Sequence, residues 1–229
     1  RVKEIVRSRD IKFIDLVIIL NNDCNADCPL CVAKQVIKNK TCKELCAGYN
    51  AKCKRCCDRT ADDDIFYVAV KDILSTVSGQ NVRIILSGGE PTLSSRLIPV
   101  LEILDEYTFS SLNIETNGAW LLNEKVSEEL LKRHINIILS RYGITDEKNN
   151  SIFNFKYDMI TEESVKSIME KYKGYVTVSC IPLKGCVDSG AKLIEYYEYF
   201  NALGASNVTF TEAMFDTTLE ATNKNISVF

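Results

Sequence analysis

The chain has 229 residues, 46% hydrophobic and 26% charged, a composition that suits one large soluble globular domain spanning 1–229 and excludes a disordered or fibrous chain. A formal net charge of -3 leaves no global positive field to capture a phosphate backbone, which disfavours a nucleic-acid partner. The longest apolar run, Phe13 to Leu20, contains Asp15 and falls short of the roughly 20 residues a membrane helix needs, so the protein is read as cytoplasmic with no membrane partner. The sequence begins at Arg1 with neither an initiator Met nor a signal pattern, which leaves open whether residues precede it.

Short runs rich in Ile and Val alternate with amphipathic segments along the chain. Phe13–Leu20 is predicted as the first strand, and Asp62–Val77 as a helix opened by three acidic residues with Phe66, Ala69, Ile73 and Val77 on one face. Then come strand Val82–Leu86, helix Ser94–Glu106, strand Ser111–Glu115, helix Asn123–Arg133 with Asn123 and Ser127 as candidate caps, and strand Asn136–Ser140. The chain continues with helix Thr161–Tyr172, strand Tyr175–Cys180, helix Ser189–Asn201 and strand Asn207–Thr211. Alternation of this kind implies right-handed crossovers and a parallel α/β sheet, doubly wound or curled into a barrel, with ligands beyond the carboxyl ends of the strands. Two regions break the rhythm: a charged, cysteine-rich insertion at 32–59 after the first strand's loop, and a polar loop from Tyr142 to Asp158.

Ten cysteines are many for this length, and eight fall between Cys24 and Cys57. In a chain with its own core and no signal pattern, such clustering points to metal ligation more than to a disulfide framework. Cys24, Cys28 and Cys31, in CNADCPLC, place three thiols in the loop after the first strand. Three thiolates suit an iron–sulfur cluster with one iron open to a ligand, or a zinc site that takes its fourth ligand elsewhere. The second strand ends in LSGGEPTL, where Gly88 and Gly89 allow close approach of backbone to a ligand, Glu90 supplies a carboxylate and Pro91 fixes the exit.

A three-cysteine loop followed by SGGEP resembles the radical S-adenosylmethionine (radical SAM) enzyme superfamily. The resemblance implies a partial (β/α)6 TIM-like barrel in which Cys24, Cys28 and Cys31 hold a 4Fe-4S cluster, whose fourth iron takes the amino and carboxylate groups of S-adenosylmethionine. Leu30 would then pack near the adenine, and Gly88, Gly89 and Glu90 would engage the methionyl ammonium. IETNG resembles a TNG element of the superfamily, with Asn117 and Glu115 toward cofactor or substrate; Ser140 would face the ribose or carboxylate, Arg141 a carboxylate, and Ile181, beside Pro182, the adenine. The implied reaction is reductive cleavage of S-adenosylmethionine to a 5'-deoxyadenosyl radical that abstracts hydrogen from a small-molecule or peptide substrate. It requires a low-potential donor such as flavodoxin or ferredoxin and makes the protein oxygen-sensitive.

The insertion carries Cys42, Cys46, Cys53, Cys56 and Cys57, a set suited to zinc, to an auxiliary iron–sulfur cluster, or to disulfides or free thiols. Cys180 and Cys186 read either as packing and loop thiols or as a hydrogen donor or second-cluster ligand near the barrel mouth; Glu212 follows the sixth strand as a candidate substrate contact. The lone His134 suits a helix carboxyl end, and Trp120 with Tyr196, Tyr197 and Tyr199 suits helix packing. The rival reading is a metal-stapled electron-transfer or binding protein without radical chemistry.

Overall fold

The computed structural model describes residues 13–29, 31, 63–157 and 160–212. Six strands form one parallel sheet: β1 (Ile14–Ile19), β2 (Val82–Ser87), β3 (Ser111–Thr116), β4 (Asn136–Ser140), β5 (Val176–Cys180) and β6 (Asn207–Phe210). The helices between them are α1 (Asp63–Val77), α2 (Leu97–Leu104), α3 (Glu124–Lys132), α4 (Asp146–Phe153), α5 (Glu162–Lys171) and α6 (Gly190–Ala202). Spatial order follows chain order, β1-β2-β3-β4-β5-β6, with every pair parallel. Right-handed crossovers that never reverse direction put the helices on one face of the sheet, whereas a doubly wound fold needs a switch point. The architecture is therefore an open, partial TIM-like barrel.

The two faces of the sheet differ. Ile84, Leu86, Ile114, Ile137, Leu139 and Val178 are fully buried under the helices, each contributing about 1.5–3 kcal/mol by leaving water. The other face, the inner wall of the open barrel, carries Asp15, Arg83, Ser87, Asn113, Glu115, Ser140 and Ser179, half-buried or exposed. There Arg83 donates to both Asp15 carboxylate oxygens at 2.8 and 2.7 Å and lies over the Phe13 ring. Among the described residues no helix is long and apolar enough to cross a membrane.

Capping residues set several helix starts. Asn123, Thr161 and Ser189 accept from the backbone N–H groups of Val126, Ser164 and Lys192. Ser127, the other candidate cap, instead pairs with the buried Tyr172 hydroxyl at 2.8 Å, which also accepts from Trp120 Nε1 at 3.0 Å. Trp120 thus packs the core from a 3-10 turn, Ala119–Leu122, while Tyr196 is buried and Tyr197 exposed. His134 closes α3 with φ 51° and stacks on Tyr175. The buried face of α1 is Val70, Leu74 and Val77; Ala69 and Ile73 face an open groove along β1, which among the described residues has no outer neighbour to cover them. The expected loop after β4 contains α4, whose Thr145 cap accepts from Lys148 N–H and whose buried residues Asn149 and Phe153 are four apart. The cysteine-rich insertion at 32–59, with Cys42, Cys46, Cys53, Cys56 and Cys57, lies outside the described residues, as does Leu30.

Candidate functional site

At the carboxyl ends of β1 and β2, backbone hydrogen bonds join the two loops. Gly89 N–H donates to Asn21 O at 3.0 Å, Glu90 N–H donates to Asp23 O at 2.7 Å, and Asn21 Nδ2 returns a bond to Glu90 O at 3.1 Å. This approach explains the two glycines: a Cβ on Gly88 would sit 2.6 Å from Asn21 Oδ1, and one on Gly89 would collide with the Asp23 carbonyl. The close partner of the Gly-Gly turn is the segment Asn21–Asp23, which leads from β1 into the cysteine loop.

Glu90 is 1% exposed, and its carboxylate binds the ends of β2 and β3 together. Oε1 accepts from Thr92 N–H at 3.1 Å, the Thr92 hydroxyl at 2.5 Å and the Thr116 hydroxyl at 2.6 Å; Oε2 accepts from Asn117 N–H at 2.8 Å. Burial raises its pKa above the ordinary carboxylate range, opposed by the hydrogen bonds from Asn117, Thr116 and Thr92, which favour the charged form. Thr92 and Thr116 were not singled out from sequence, although each neighbours a residue that was.

The cysteine loop is tied to the chain on both sides. Asn25, fully buried inside the first cysteine spacing, accepts from Asn117 Nδ2 at 2.7 Å and donates through its own Nδ2 to Tyr157 O at 3.4 Å. Its carbonyl accepts from Lys156 N–H, Ala26 bridges Phe155 in antiparallel fashion, and Asp27 N–H donates to the carbonyls of Phe153 and Asn154. The segment after α4 therefore docks the loop from one side while Asn117 holds it from the other. Cys24, Cys28 and Cys31 are half-buried along this loop, and Cys31 N–H turns back onto Cys28 O at 3.3 Å. Among the described residues, no three His, Cys, Asp or Glu side chains converge into a group that would hold a metal ion. The donor chemistry nevertheless fits a thiolate-bound cluster, because backbone Ala26 N–H at 3.4 Å and Asn117 Nδ2 at 3.8 Å both point at the Cys24 sulfur.

The ends of β4 and β5 look different. Ser140 is half-buried and hydrogen-bonds Tyr142, whose ring stacks on Phe153 at 4.7 Å, with Phe153 in turn stacked on Phe155 at 5.0 Å. Burial is the main cause that raises the Tyr142 pKa, and electrostatic interaction with Cys28, Cys180 and Cys31 adds to it, which puts the ring near both the cysteine loop and the end of β5. Arg141 is fully buried and turned into its own loop: it donates to Gly143 O at 3.1 Å and Ile144 O at 3.0 Å and pairs with Asp146 at 2.9 Å. Cys180 is buried in the main core, its thiol pushed up to about 12 by burial. Cys186 packs with Leu183, Ile181 and Tyr142 and faces Lys148 O at 3.6 Å. Glu115 is exposed on the inner wall, accepting from Ser87 at 2.9 Å, and Glu212 is exposed past the end of β6. The structure thus gathers the cysteine loop, Gly88, Gly89, Glu90 and Asn117 into one bonded assembly. Arg141, Cys180 and Cys186 are placed elsewhere: Arg141 in its own loop, Cys180 in the main core and Cys186 in a small apolar cluster with Leu183.

No protein-family model matches the sequence, and no curated protein matches it significantly. Solved structures do match. Streptococcus suis SuiB is similar over 90% of this chain and 41% of its own, at 19% identity and a TM-score of 0.57. The structure of anSMEcpe with bound AdoMet is similar over 88% of this chain and 52% of its own, at 17% identity and a TM-score of 0.58. TYW1 with a lysine-pyruvate adduct bound matches over 93% of this chain and 72% of its own, at 14% identity and a TM-score of 0.51. The chain shares the fold of these structures. This chain spans about half, or less, of the length of SuiB and anSMEcpe.

Proposed function

We propose that the chain is a radical SAM enzyme. The observation that carries this reading is the hydrogen-bonded union of the cysteine loop, the Gly88-Gly89-Glu90 turn and Asn117 at the carboxyl ends of three adjacent strands, in a fold shared with structures such as one holding AdoMet. Cys24, Cys28 and Cys31 would hold a 4Fe-4S cluster through three irons. Bound there, the cluster and S-adenosylmethionine would supply a 5'-deoxyadenosyl radical for hydrogen abstraction, given a low-potential electron donor.

The chain's own residues orient and exclude. The turn at Gly88 and Gly89 fixes the distance between the cysteine loop and Glu90, and the Thr92, Thr116 and Asn117 donors hold the Glu90 carboxylate in one place for an ammonium group. Ser140 and Ile181, near Tyr142, are the candidate ribose and adenine contacts on the far side, and Leu30 an adenine contact beside Cys31. The polar inner wall, with Ser87, Glu115 and Asn113, suits a small-molecule or peptide substrate, and Glu212 is a further candidate contact. A peptide is supported by the similarity to SuiB bound to precursor peptide SuiA, at 16% identity and a TM-score of 0.56. The five cysteines of the insertion are proposed to close a second metal site, zinc or iron–sulfur.

The test is anaerobic reconstitution with iron and sulfide, metal and sulfide counts, and S-adenosylmethionine cleavage under dithionite, wild type beside Cys28→Ala. Formation of 5'-deoxyadenosine by the wild type alone supports the reading, and surplus zinc or iron identifies the metal of the insertion. Zinc binding without cofactor cleavage would instead make the chain a metal-stapled binding protein.

A further inference from the structure

A sulfur bound to iron still accepts hydrogen bonds, and each N–H donor aimed at it draws off charge and favours the more reduced cluster. Among the described residues, Ala26 and Asn117 each direct an N–H donor at Cys24. Backbone Ala26 N–H, 3.4 Å away, is supplied by the local turn, while Asn117 Nδ2, at 3.8 Å, comes from the end of β3, 93 residues along the chain.

Every hydrogen-bonding atom of the Asn117 side chain has an assigned partner. Oδ1 accepts from Ala119 N–H at 3.2 Å, which fixes the amide's orientation. One Nδ2 hydrogen serves Asn25 Oδ1 at 2.7 Å and the other points at the Cys24 sulfur. The Asn25 amide is oriented in turn by its Nδ2 bond to Tyr157 O, so its oxygen faces Asn117. The main chain of Asn117 is held by Glu90 Oε2 at 2.8 Å, and the residue is 7% exposed. A rotation that satisfied Asn25 by another route would break the bond to Ala119.

We infer that Asn117 is a positioning residue that directs an amide N–H to the Cys24 sulfur and thereby raises the reduction potential of the cluster. The inference rests on the reading of Cys24, Cys28 and Cys31 as cluster ligands and concerns one ligand of the three. Without the donor, the reduced cluster loses a stabilising bond and becomes harder to reach with the same reductant.

The experiment is an EPR-monitored redox titration of the reconstituted full chain, without S-adenosylmethionine, for wild type, Asn117→Ala and Asn117→Asp. Asn117→Asp keeps an oxygen for Ala119 N–H but sets a second oxygen toward the sulfur. At the wild-type midpoint the reduced-to-oxidised ratio of Asn117→Ala is expected to fall about tenfold, a shift of about 59 mV for one electron. Asn117→Asp is expected to fall further. An unchanged midpoint in either cluster-loaded variant overturns the inference. So does loss of iron from both variants with native circular dichroism, which would make Asn117 a strut for the loop and nothing more. A wild type that takes up no cluster is a separate result, because it removes the enzyme reading itself.

Discussion

The mouth of the barrel divides into two halves built on opposite principles. At the ends of β1, β2 and β3, polar groups from separate loops converge on one another: among the described residues, Thr92, Thr116 and Asn117 donate to Glu90, Ala26 and Asn117 donate to Cys24, and an Asn25–Asn117 bridge lies between them. At the ends of β4 and β5, ionisable groups are sealed into packing: Arg141 faces its own loop, Cys180 lies in the core, and Tyr196 donates to Arg141 O at 2.6 Å. The same residue types serve a bonded site in one half and a scaffold in the other. Burial alone does not separate the halves, since Glu90 and Arg141 are both inaccessible; what separates them is that Glu90 also draws donors from Thr116 and Asn117 on the neighbouring loop, whereas the Arg141 guanidinium bonds Gly143, Ile144 and Asp146 of its own loop.

The largest expected effect comes from breaking the first half. Glu90→Ala leaves the Thr92, Thr116 and Asn117 donors without an acceptor in a buried space. At about 1–3 kcal/mol for each unsatisfied group, the variant is expected to lose about 4 kcal/mol in urea unfolding, together with all S-adenosylmethionine cleavage. Glu90→Gln sharpens the point through pH. Because burial raises the Glu90 pKa in the folded state, its contribution to stability is fully present below the unfolded carboxylate range and is lost as pH rises through the raised value. That step is expected in wild-type unfolding between acid and neutral pH and absent in Glu90→Gln; an identical pH profile for the two proteins would remove Glu90 as its source.

The second half is expected to break in stability. Arg141→Ala severs a buried pair and two carbonyl bonds, at a cost of about 3 kcal/mol, the lower end for such pairs because Asp146 keeps some access to water. With enough folded protein, S-adenosylmethionine binding per folded molecule is expected to change by less than about threefold, under 1 kcal/mol. A much larger loss, measured by calorimetry, would move Arg141 into the cofactor site. Cys180 offers a gentler probe. With its thiol pushed up to about 12, Cys180 is expected to resist iodoacetamide at pH 8 in the folded chain and to react fully in urea, as peptide mass spectrometry would read. Rapid labelling of native Cys180 would mean that it is open to the barrel mouth and available as a hydrogen donor.

This division also marks where the sequence was legible. The Ile- and Val-rich runs located the six strands, and in the fold β2 through β5 alternate buried with half-buried or exposed residues, because a sheet covered on one side by helices imposes that pattern. CNADCPLC and SGGEP placed two loops at adjacent strand ends, and the glycines were read as a close approach, although the partner proved to be Asn21–Asp23. Strand order, which selects a barrel over a doubly wound sheet, leaves no mark on local periodicity. The pairing of Asn117 with Asn25 and Cys24 spans more than 90 residues, and no spacing rule reaches that far. Arg141 beside Ser140 looked equally available for a ligand, and only tertiary packing turned it toward Asp146.

The smallest expected effect tests whether the halves are coupled. Thr145-Asp146-Glu147 is a cap followed by an acidic first turn, a start signal for α4 that the polar character of the segment obscured. Thr145→Ala removes the bond to Lys148 N–H and costs about 1 kcal/mol. The far end of α4 supplies the Phe153 and Asn154 carbonyls that hold Asp27 N–H, and Phe155 bridges Ala26. Loosening the start of this short helix therefore loosens the wall against which the cysteine loop rests. Hydrogen exchange at the Asp27 amide is expected to quicken about fivefold in Thr145→Ala, the population shift that 1 kcal/mol produces, while the Asn117 amide, held by Glu90, keeps its wild-type rate. Unchanged exchange at Asp27 would mean that α4 and the loop open independently, and that the scaffold half of the mouth reaches the bonded half only through the sheet.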